Sequence, residues 1–346
     1  MLIFFLAPFL AVVIGFAAQR GGFCSVRAME EILTTHRGYM LFSFLKVVLW
    51  VLGVSLLVDS VADTDFLFRS GWKISLPTVF GGILFGVGAT INGGCAFSTL
   101  TRLGSGNLGM GLSLIGFAAG IYTIGAINPP AILMPQVESV TVLSKMGDLH
   151  LPITIFFVTW MCFEFIRIFL SSRTLKWKHR VLSPYYRLSG AAMLMGISNA
   201  VLYMTVGVWP YTGLLRQTVE FVAKGAPQPP VILWIMFLAL IAGIGVSAWQ
   251  SGRFHWQLRP QVQWISYILG GVFMGAGASV IPGGNDILLF YSAPSLSPHI
   301  LPAFLSMFFS IIVSLLVMKA LGTKIPPLNC SGDICKVAFD PPEEKD

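Results

Sequence analysis

A glycine-rich apolar segment near residue 90 ends abruptly in two glycines and a cysteine. Residues 81–95 read GGILFGVGATINGGC, so a sequence typical of a membrane helix stops at Asn92-Gly93-Gly94. Adjacent glycines weaken a helix by about 1 kcal/mol each and permit backbone conformations that other residues resist. The pattern therefore predicts a broken helix with Cys95 where the backbone opens. Irregular backbone at membrane depth is tolerated only inside the protein or beside a polar cavity, which makes Cys95 the first candidate for a functional residue.

The same pattern occurs a second time in the chain. Residues 270–279 repeat residues 81–90 at an offset of 189, with each glycine at the matching position. The second copy also ends in two glycines and a polar residue, and Asn285 takes the place of Cys95. Glycines alone are common where membrane helices pack closely. An ordered match with the same ending indicates an internal duplication.

The composition is that of an integral membrane protein. Of 346 residues, 55% are hydrophobic and 11% are charged, too few polar residues to cover the surface of a soluble protein. The net charge of +7 does not indicate nucleic-acid binding, because the basic residues lie between apolar spans and act as topology signals. The predicted spans are 2–18, 40–58, 76–91, 107–128, 151–170, 188–208, 230–250, 264–281 and 299–320, and the predicted half-helices or re-entrant segments are 20–37, 92–104 and 282–296.

The placement of lysine and arginine predicts which side of the membrane each loop faces. The densest basic cluster lies within 167–187 and is expected in the cytoplasm. Nine spans then place the basic segments 20–38 and 253–259 on the same side and the acidic segment 59–65 on the other. The N-terminus is predicted to lie outside and the C-terminus in the cytoplasm.

This count makes the two glycine-rich copies cross the membrane in opposite directions. Inverted repeats whose broken helices meet near the midplane are the architecture of many transporters. We therefore predict an all-α integral membrane protein of about nine transmembrane helices plus short broken or re-entrant helices, in two inverted halves of four spans around a fifth. The predicted divisions are 1–135 for the first membrane repeat, 136–187 for a linker helix and basic loop, 188–321 for the second repeat and 322–346 for a cytoplasmic tail.

A second double glycine precedes a cysteine at the end of the first span. Residues 19–27 read QRGGFCSVR, which places Cys24 between Arg20 and Arg27. A half-helix that begins at Cys24 or Cys95 directs unpaired N–H groups and the positive end of its dipole toward the cavity. Such an end favours an anion, and a nearby arginine adds to the attraction. A polarizable thiol beside it suits a sulfur-bearing anion.

These segments resemble the YeeE/YedE family of bacterial inner-membrane thiosulfate transporters. The resemblance rests on QRGGFC at 19–24 and on the pattern GxG, GGC and TLxRLG within 86–104, and it extends over both halves of the chain. It implies an hourglass-shaped helical body in which cysteines along a constricted path relay thiosulfate through S–H···S and S–H···O contacts. Cys24 and Cys95 match the first-half cysteines of that family. The resemblance also implies a small cytoplasmic sulfur-carrier protein as a candidate acceptor.

The second half departs from the family pattern, because Asn285 and then Asp286 stand where the family has a third cysteine. An amide donates hydrogen bonds to an oxyanion but lacks the thiol, and a charged Asp286 on the path would repel a divalent anion unless paired or protonated. Sulfite, sulfide and selenium analogues therefore stay open as substrates, and both residues are alternatively N-caps of the half-helix that follows. The predicted path residues are Cys24, Asn92, Gly93, Gly94, Cys95, Gly283, Gly284, Asn285 and Asp286, and Arg20, Arg27 and Arg102 are predicted either to attract the anion or to act as topology anchors.

Two functional classes fit these features. The first is a lipid-embedded permease that imports thiosulfate or a related anion and needs no cofactor or bound metal. The second is a membrane sulfurtransferase in which Cys95 attacks the sulfane sulfur and holds a persulfide. The duplication and the broken helices favour the permease. The chain contains no Walker lysine motif and no HExxH sequence, so we expect neither ATP hydrolysis nor another enzymatic activity.

Other chemically distinctive side chains are expected to be structural. Cys162 should pack within its span as a small hydrophobe. Glu164 should form an ion pair with Arg167 one helical turn later. Cys330 and Cys335 should be a reduced pair of thiols in a dispensable cytoplasmic tail.

Overall fold

A computed structural model describes residues 2–62, 71–127, 137–138, 150–171, 182–257, 263–323 and 329–336. These residues are helical apart from connecting segments and four short strands. The helices are α1 (Leu2–Gly21), α2 (Ser25–Thr35), α3 (Tyr39–Ala62), α4 (Leu76–Ile91), α5 (Ala96–Gly104), α6 (Met110–Ile127), α7 (His150–Ser171), α8 (Leu188–Thr205), α9 (Tyr211–Lys224), α10 (Val231–Gln250), α11 (Gln263–Val280), α12 (Asn285–Ile287, continued by a π-helical turn, Leu288–Ser292) and α13 (Ile300–Ala320). The strands are β1 (Gly71–Trp72), β2 (Val137–Glu138), β3 (Asn329–Ser331) and β4 (Ile334–Lys336), paired antiparallel as β1–β2 and β3–β4.

The described residues contain eight spans that are long and apolar enough to cross a membrane. A ninth is obtained when α11 and residues 285–292, which meet at an angle of 49°, count as one broken span. This confirms an all-α integral membrane protein with the predicted number of spans. Both breaks fall where the double glycines predict them, between α4 and α5 and between α11 and α12.

One helix was missed by the sequence analysis. Helix α9 lies between the sixth and seventh predicted spans, as α2 lies between the first and second. Hydropathy did not reveal it, because its sequence carries Arg216, Glu220 and Lys224. The duplication does predict it, since each half should contain the same elements. The order α1 to α6 is then repeated by α8 to α13, with α7 between the two sets.

The two glycine-rich helices, α4 and α11, pack directly against each other. A Cβ atom on Gly81 would lie 3.0 Å from the carbonyl oxygen of Gly277, and one on Gly88 would lie 2.7 Å from that of Gly270. Gly81 and Gly270 are equivalent in the repeat, as are Gly88 and Gly277, so the same contact is made once from each half. Backbones approach this closely only where side chains are absent. The two copies run in opposite directions, as predicted.

Other helix pairs also occur twice, and each joins one helix from the first half to one from the second. Helix α6 packs on α11 just as α13 packs on α4, and α1 packs on α10 just as α8 packs on α3. Helix α7 stands outside this pattern and packs against α3. This interlocking is what a duplicated chain produces when each half supplies packing partners to the other.

Charged loops meet at one end of the bundle. Arg253 donates a hydrogen bond to the carbonyl oxygen of Pro184 at 2.7 Å, whereas Asp59 pairs with His150 at 3.3 Å at the opposite end, where α3 ends and α7 begins. We call the end with the Arg253–Pro184 contact the basic end, and its assignment to the cytoplasm stays a prediction. The topology signals that lie outside the described residues are Asp63, Asp65, Arg173, Lys176, Lys178, His179, Arg180 and Arg259.

The C-terminal segment differs from the sequence prediction. Cys330 and Cys335 are not a reduced pair but form a disulfide across the β3–β4 hairpin, where they lie directly opposite each other on adjacent strands. Asp333 in the turn accepts hydrogen bonds from the backbone N–H and the hydroxyl of Ser189, at 3.1 and 2.9 Å. The hairpin thus caps the start of α8. The rest of the predicted tail, residues 337–346, lies outside the described part of the chain.

Of the predictions made for two side chains of α7, one was wrong and one is confirmed. Cys162 is exposed, so the prediction that it packs inside was wrong, because α7 lies at the edge of the bundle. Glu164 pairs with Arg167 at 2.6 Å, which confirms the predicted ion pair, and it gains a second partner, Lys46 of α3, at 2.9 Å.

The close approach of α4 and α11 gives a stability prediction. In Gly277→Ala the new Cβ would lie 2.6 Å from backbone atoms of Gly81 and Phe85, so the helices must separate, at a cost of about 1–3 kcal/mol. Gly190→Ala is the control, because no atom lies within 4 Å of its added Cβ, and alanine favours helix over glycine. Thermal unfolding in detergent should show a lower Tm for Gly277→Ala alone, and equal Tm values would contradict the packing.

Candidate functional site

The two thiols predicted to act together do lie together. Cys24 is the N-cap of α2 and Cys95 is the N-cap of α5, and their side chains interact directly. The backbone N–H of Ser25 donates to the sulfur of Cys95 at 3.5 Å, and the Cys24 thiol donates to the hydroxyl of Ser98 at 3.3 Å. Both cysteines are at most 1% exposed, so the pair lies within the helical body.

The glycines explain why helices begin at this point. Gly22, Gly93 and Gly283 have φ values of 64°, 70° and 121°, a region that side chains disfavour. One such glycine ends each preceding helix and turns the chain. In the break between α4 and α5, the second glycine leaves space for the side chain of Ser98, because a Cβ on Gly94 would collide with the Ser98 hydroxyl.

The first turns of four helical segments meet around the thiols. Asn285, at the start of α12, donates from Nδ2 to the hydroxyl of Ser25 in α2 at 3.3 Å. The hydroxyl of Tyr211, the first residue of α9, donates to the carbonyl oxygen of Ala96 in α5 at 2.6 Å. The first turn of a helix has unpaired N–H groups and a partial positive charge. Convergence of α2, α5 and α9, with α12 beside them, makes the centre of the bundle attractive to an anion.

Asp286 is used to cap a helix. Its carboxylate accepts hydrogen bonds from the backbone N–H and the hydroxyl of Thr212, at 3.2 and 2.5 Å. That hydroxyl also accepts from the backbone N–H of Gly284 at 3.2 Å. The sequence offered Asp286 as a path residue or as the cap of the segment that follows it. In the structure the carboxylate faces the start of α9, where the helix dipole offsets its charge.

Each break also carries a buried asparagine with an unused acceptor. The amide nitrogen of Asn92 donates to the carbonyl oxygen of Gly94 and to the hydroxyl of Thr99, both at 2.8 Å, which ties the break to α5. The Oδ1 atoms of Asn92 and Asn285 have no hydrogen-bond partner within the described ranges. An unsatisfied buried polar atom costs free energy. These two oxygens are therefore available to accept a hydrogen bond from a donor such as water at the breaks.

Of the three predicted arginines, Arg27 lies near the thiols, and Arg102 lies in the last turn of α5 and donates to the hydroxyl of Tyr267 at 3.1 Å. Arg27, in the first turn of α2, is within electrostatic range of Cys24, Cys95 and Arg102. Gly93 is exposed, and a Cβ there would lie 3.5 Å from Nη1 of Arg102. Helix α5 runs from the thiols to the basic end, so these arginines lie between the thiols and that end.

Arg20 is placed differently from Arg27 and Arg102. The residue is 1% exposed, and its guanidinium donates to the hydroxyl of Ser247 at 3.1 Å, to Oε1 of Gln250 at 2.9 Å and to the carbonyl oxygen of Ser183. This network joins the end of α1 to the end of α10 and to the loop before α8.

Sequence reasoning missed the polar residues that hold the site together. Each lies within about one turn of a cysteine or of a helix start. The sequence feature that could have revealed them is therefore a hydroxyl side chain shortly after an N-cap. On the α2 and α5 side these residues are Ser25, Ser98 and Thr99, and on the α9 side they are Tyr211 and Thr212.

The capping role of Asp286 gives a second stability prediction. Asp286→Ala leaves the N–H and hydroxyl of Thr212 without their acceptor in a buried place, which should cost about 1–3 kcal/mol. Glu220→Ala is the matched control, because it removes a carboxylate from α9, the helix that Asp286 caps. The Glu220 side chain is 39% exposed and, among the described residues, forms a salt bridge to Arg216 alone, worth about 0.5 kcal/mol or less. Unfolding of the two variants in detergent should separate them clearly, and equal losses would contradict the cap.

Comparison with known proteins matches most of the chain to a known family. The sulphur transport family matches residues 20–313, a range that contains both breaks and both thiols. Among curated proteins, the thiosulfate transporter TsuA of Escherichia coli (strain K12) is 24% identical over 311 residues, which covers 80% of this chain and 84% of the relative. Since the family match covers most of the chain, the protein belongs to the sulphur transport family.

Proposed function

We propose that the protein is a permease of the bacterial inner membrane that imports thiosulfate or a related sulfur-containing anion. The supporting observation is the convergence of the first turns of α2, α5 and α9 on the thiols of Cys24 and Cys95. Helix N-termini bind anions through backbone N–H groups, and polarizable thiols suit a sulfur-bearing ligand. The relative's name, thiosulfate transporter, supports this substrate.

The thiols would hand the anion on through weak contacts. Ser25 and Ser98 orient the two sulfurs through the hydrogen bonds described above. An S–H group is a weak donor and sulfur a weak acceptor, so an anion that replaces the Ser98 contact would be bound without being trapped. At the second break, the Nδ2 group of Asn285, which donates to Ser25, would also donate to the anion. The unpaired Oδ1 atoms of Asn92 and Asn285 are acceptors and would bind water rather than the anion.

The path would lead from the thiols toward the basic end. Arg27 and Arg102 lie on that side, and their charges would draw the anion onward. With the basic end in the cytoplasm, the N-terminus lies outside, the C-terminus inside, and transport is directed inward. A cytoplasmic sulfur-carrier protein would receive the anion there.

For the sulfurtransferase alternative, the described residues offer a cation near the thiols but no hydrogen-bonded base. A cysteine that attacks sulfane sulfur needs a thiolate, supported by a nearby base or cation. Within the described residues, neither thiol is hydrogen-bonded to a histidine or a carboxylate. Arg27 is the nearby cation, and it serves the permease equally well.

The central test is uptake of sulfane-labelled thiosulfate into proteoliposomes. Wild type should accumulate the label, whereas Cys24→Ala and Cys95→Ala should lose at least about tenfold in initial rate, because each removes a thiol contact worth about 1.4 kcal/mol in the transition state for passage. Cys162→Ala, which changes an exposed cysteine of the same chain, is the control and should transport normally. Full uptake by the two site variants would overturn the thiol path.

Cys95→Ser distinguishes the permease from the transferase. A serine keeps a small polar group at the N-cap, so a permease should retain measurable uptake, whereas a persulfide enzyme should lose all activity. Mass spectrometry of wild type after exposure to thiosulfate gives the complementary result. A persulfide on Cys95 together with release of sulfite would favour the transferase.

Asn285 offers a test of substrate choice. Asn285→Cys restores the thiol that the family resemblance leads one to expect, so the ratio of thiosulfate uptake to sulfite uptake should rise relative to wild type. Asn285→Ala is the control, since it removes the amide without adding sulfur. An unchanged ratio in both variants would show that this position does not select the anion.

A further inference from the structure

A pocket of about 170 Å³ lies between the C-terminal halves of α6 and α9. Helix α6 begins at the basic end, shortly after residues 105–107, whose backbone pairs with that of residues 255–257. Its last residues therefore lie at the opposite end of the bundle, and so does this pocket. The pocket reaches inward as far as Ser279, in the last turn of α11, just before the second break. The lining residues that matter here are Tyr122, Gly125, Arg216, Glu220, Lys224 and Ser279.

The charges in the pocket sum to a positive value. Nε of Arg216 bonds to Oε1 of Glu220 at 3.0 Å, and Lys224 forms no salt bridge within the described residues. Two cations against one carboxylate leave one net positive charge on the pocket wall. The positive-inside rule does not account for basic residues at the end opposite the basic loops, so topology alone leaves Arg216 and Lys224 unexplained.

We propose that this pocket is an entry site that captures the small divalent oxyanion before it reaches the thiols. Arg216 and Lys224 supply the attraction, and Glu220 limits the affinity so that the anion can leave inward. A recess whose wall carries one net sign of charge concentrates the field of its charges and raises the local concentration of an ion of opposite sign. This inference rests on the proposed function and adds to it a site on α9, the helix that also frames the thiols.

The test is the concentration dependence of thiosulfate uptake by charge variants in proteoliposomes. Lys224→Gln and Arg216→Gln should each raise the apparent KM by at least about threefold, and Glu220→Gln should lower it by a similar factor, with the maximal rate changed less than twofold. Lys73→Gln is the control, because Lys73 is a lysine beside β1, at the same end of the bundle as the pocket, and is not among the residues that line it. Raising the ionic strength from about 0.05 to 0.5 M should shrink all three shifts.

Opposite shifts for Glu220→Gln and Lys224→Gln are the decisive result. If both variants move KM in the same direction, or change only the maximal rate, the pocket acts structurally and the proposal is wrong. A pocket filled by the phosphate group of a lipid would leave KM unchanged in every variant, which would also overturn it.

A binding measurement separates this proposal from the proposed function. Equilibrium binding of labelled thiosulfate to detergent-purified Cys95→Ala protein should be tightened by Glu220→Gln and weakened by Lys224→Gln, even where uptake is lost. Absence of uptake by wild type with charge-dependent binding intact would reject the permease but retain the anion pocket. Uptake by wild type without charge-dependent binding would reject the pocket alone.

Discussion

The close backbone contact between α4 and α11 is the constraint on which the rest of the structure depends. Gly81 faces Gly277 and Gly88 faces Gly270, so the helices run antiparallel and their breaks are brought to the middle of the bundle. Each break ends one helix and starts another there. The same packing therefore fixes both the relation between the halves and the position of the helix N-termini that surround the thiols.

The electrostatics of the centre follow from this arrangement of helix ends. Backbone N–H groups attract an anion without placing a full charge beside it. A transport site has to bind its ion firmly enough to admit it and weakly enough to release it. The buried carboxylate of Asp286 would oppose anion binding, but it is directed to the N-terminus of α9. Arg27 and Arg102 instead lie toward the basic end, where attraction favours exit from the centre.

Sequence predicted the parts of this design that depend on backbone chemistry. Double glycines located both breaks, the repeat gave the opposite directions of α4 and α11, and the cysteines proved to be N-caps. It failed where tertiary contacts decide. Helix α9 has too many polar residues for a hydropathy search, and Asp286 caps a helix more than sixty residues earlier in the chain. The exposure of Cys162 depends on α7 lying at the edge of the bundle, which no local pattern reveals.

The site itself is less symmetric than its scaffold. The N-caps of α2 and α5 are both cysteines, whereas α9 begins after Pro210 and α12 begins with Asn285. One half therefore supplies the thiols, and the other supplies an amide and a helix whose far end carries charge. An anion that crosses such a centre meets different chemistry on its two sides, although the helices that hold it are related by exchange of the halves. The common framework is what an internal duplication predicts, and the differences at a few helix starts give its two sides different chemistry.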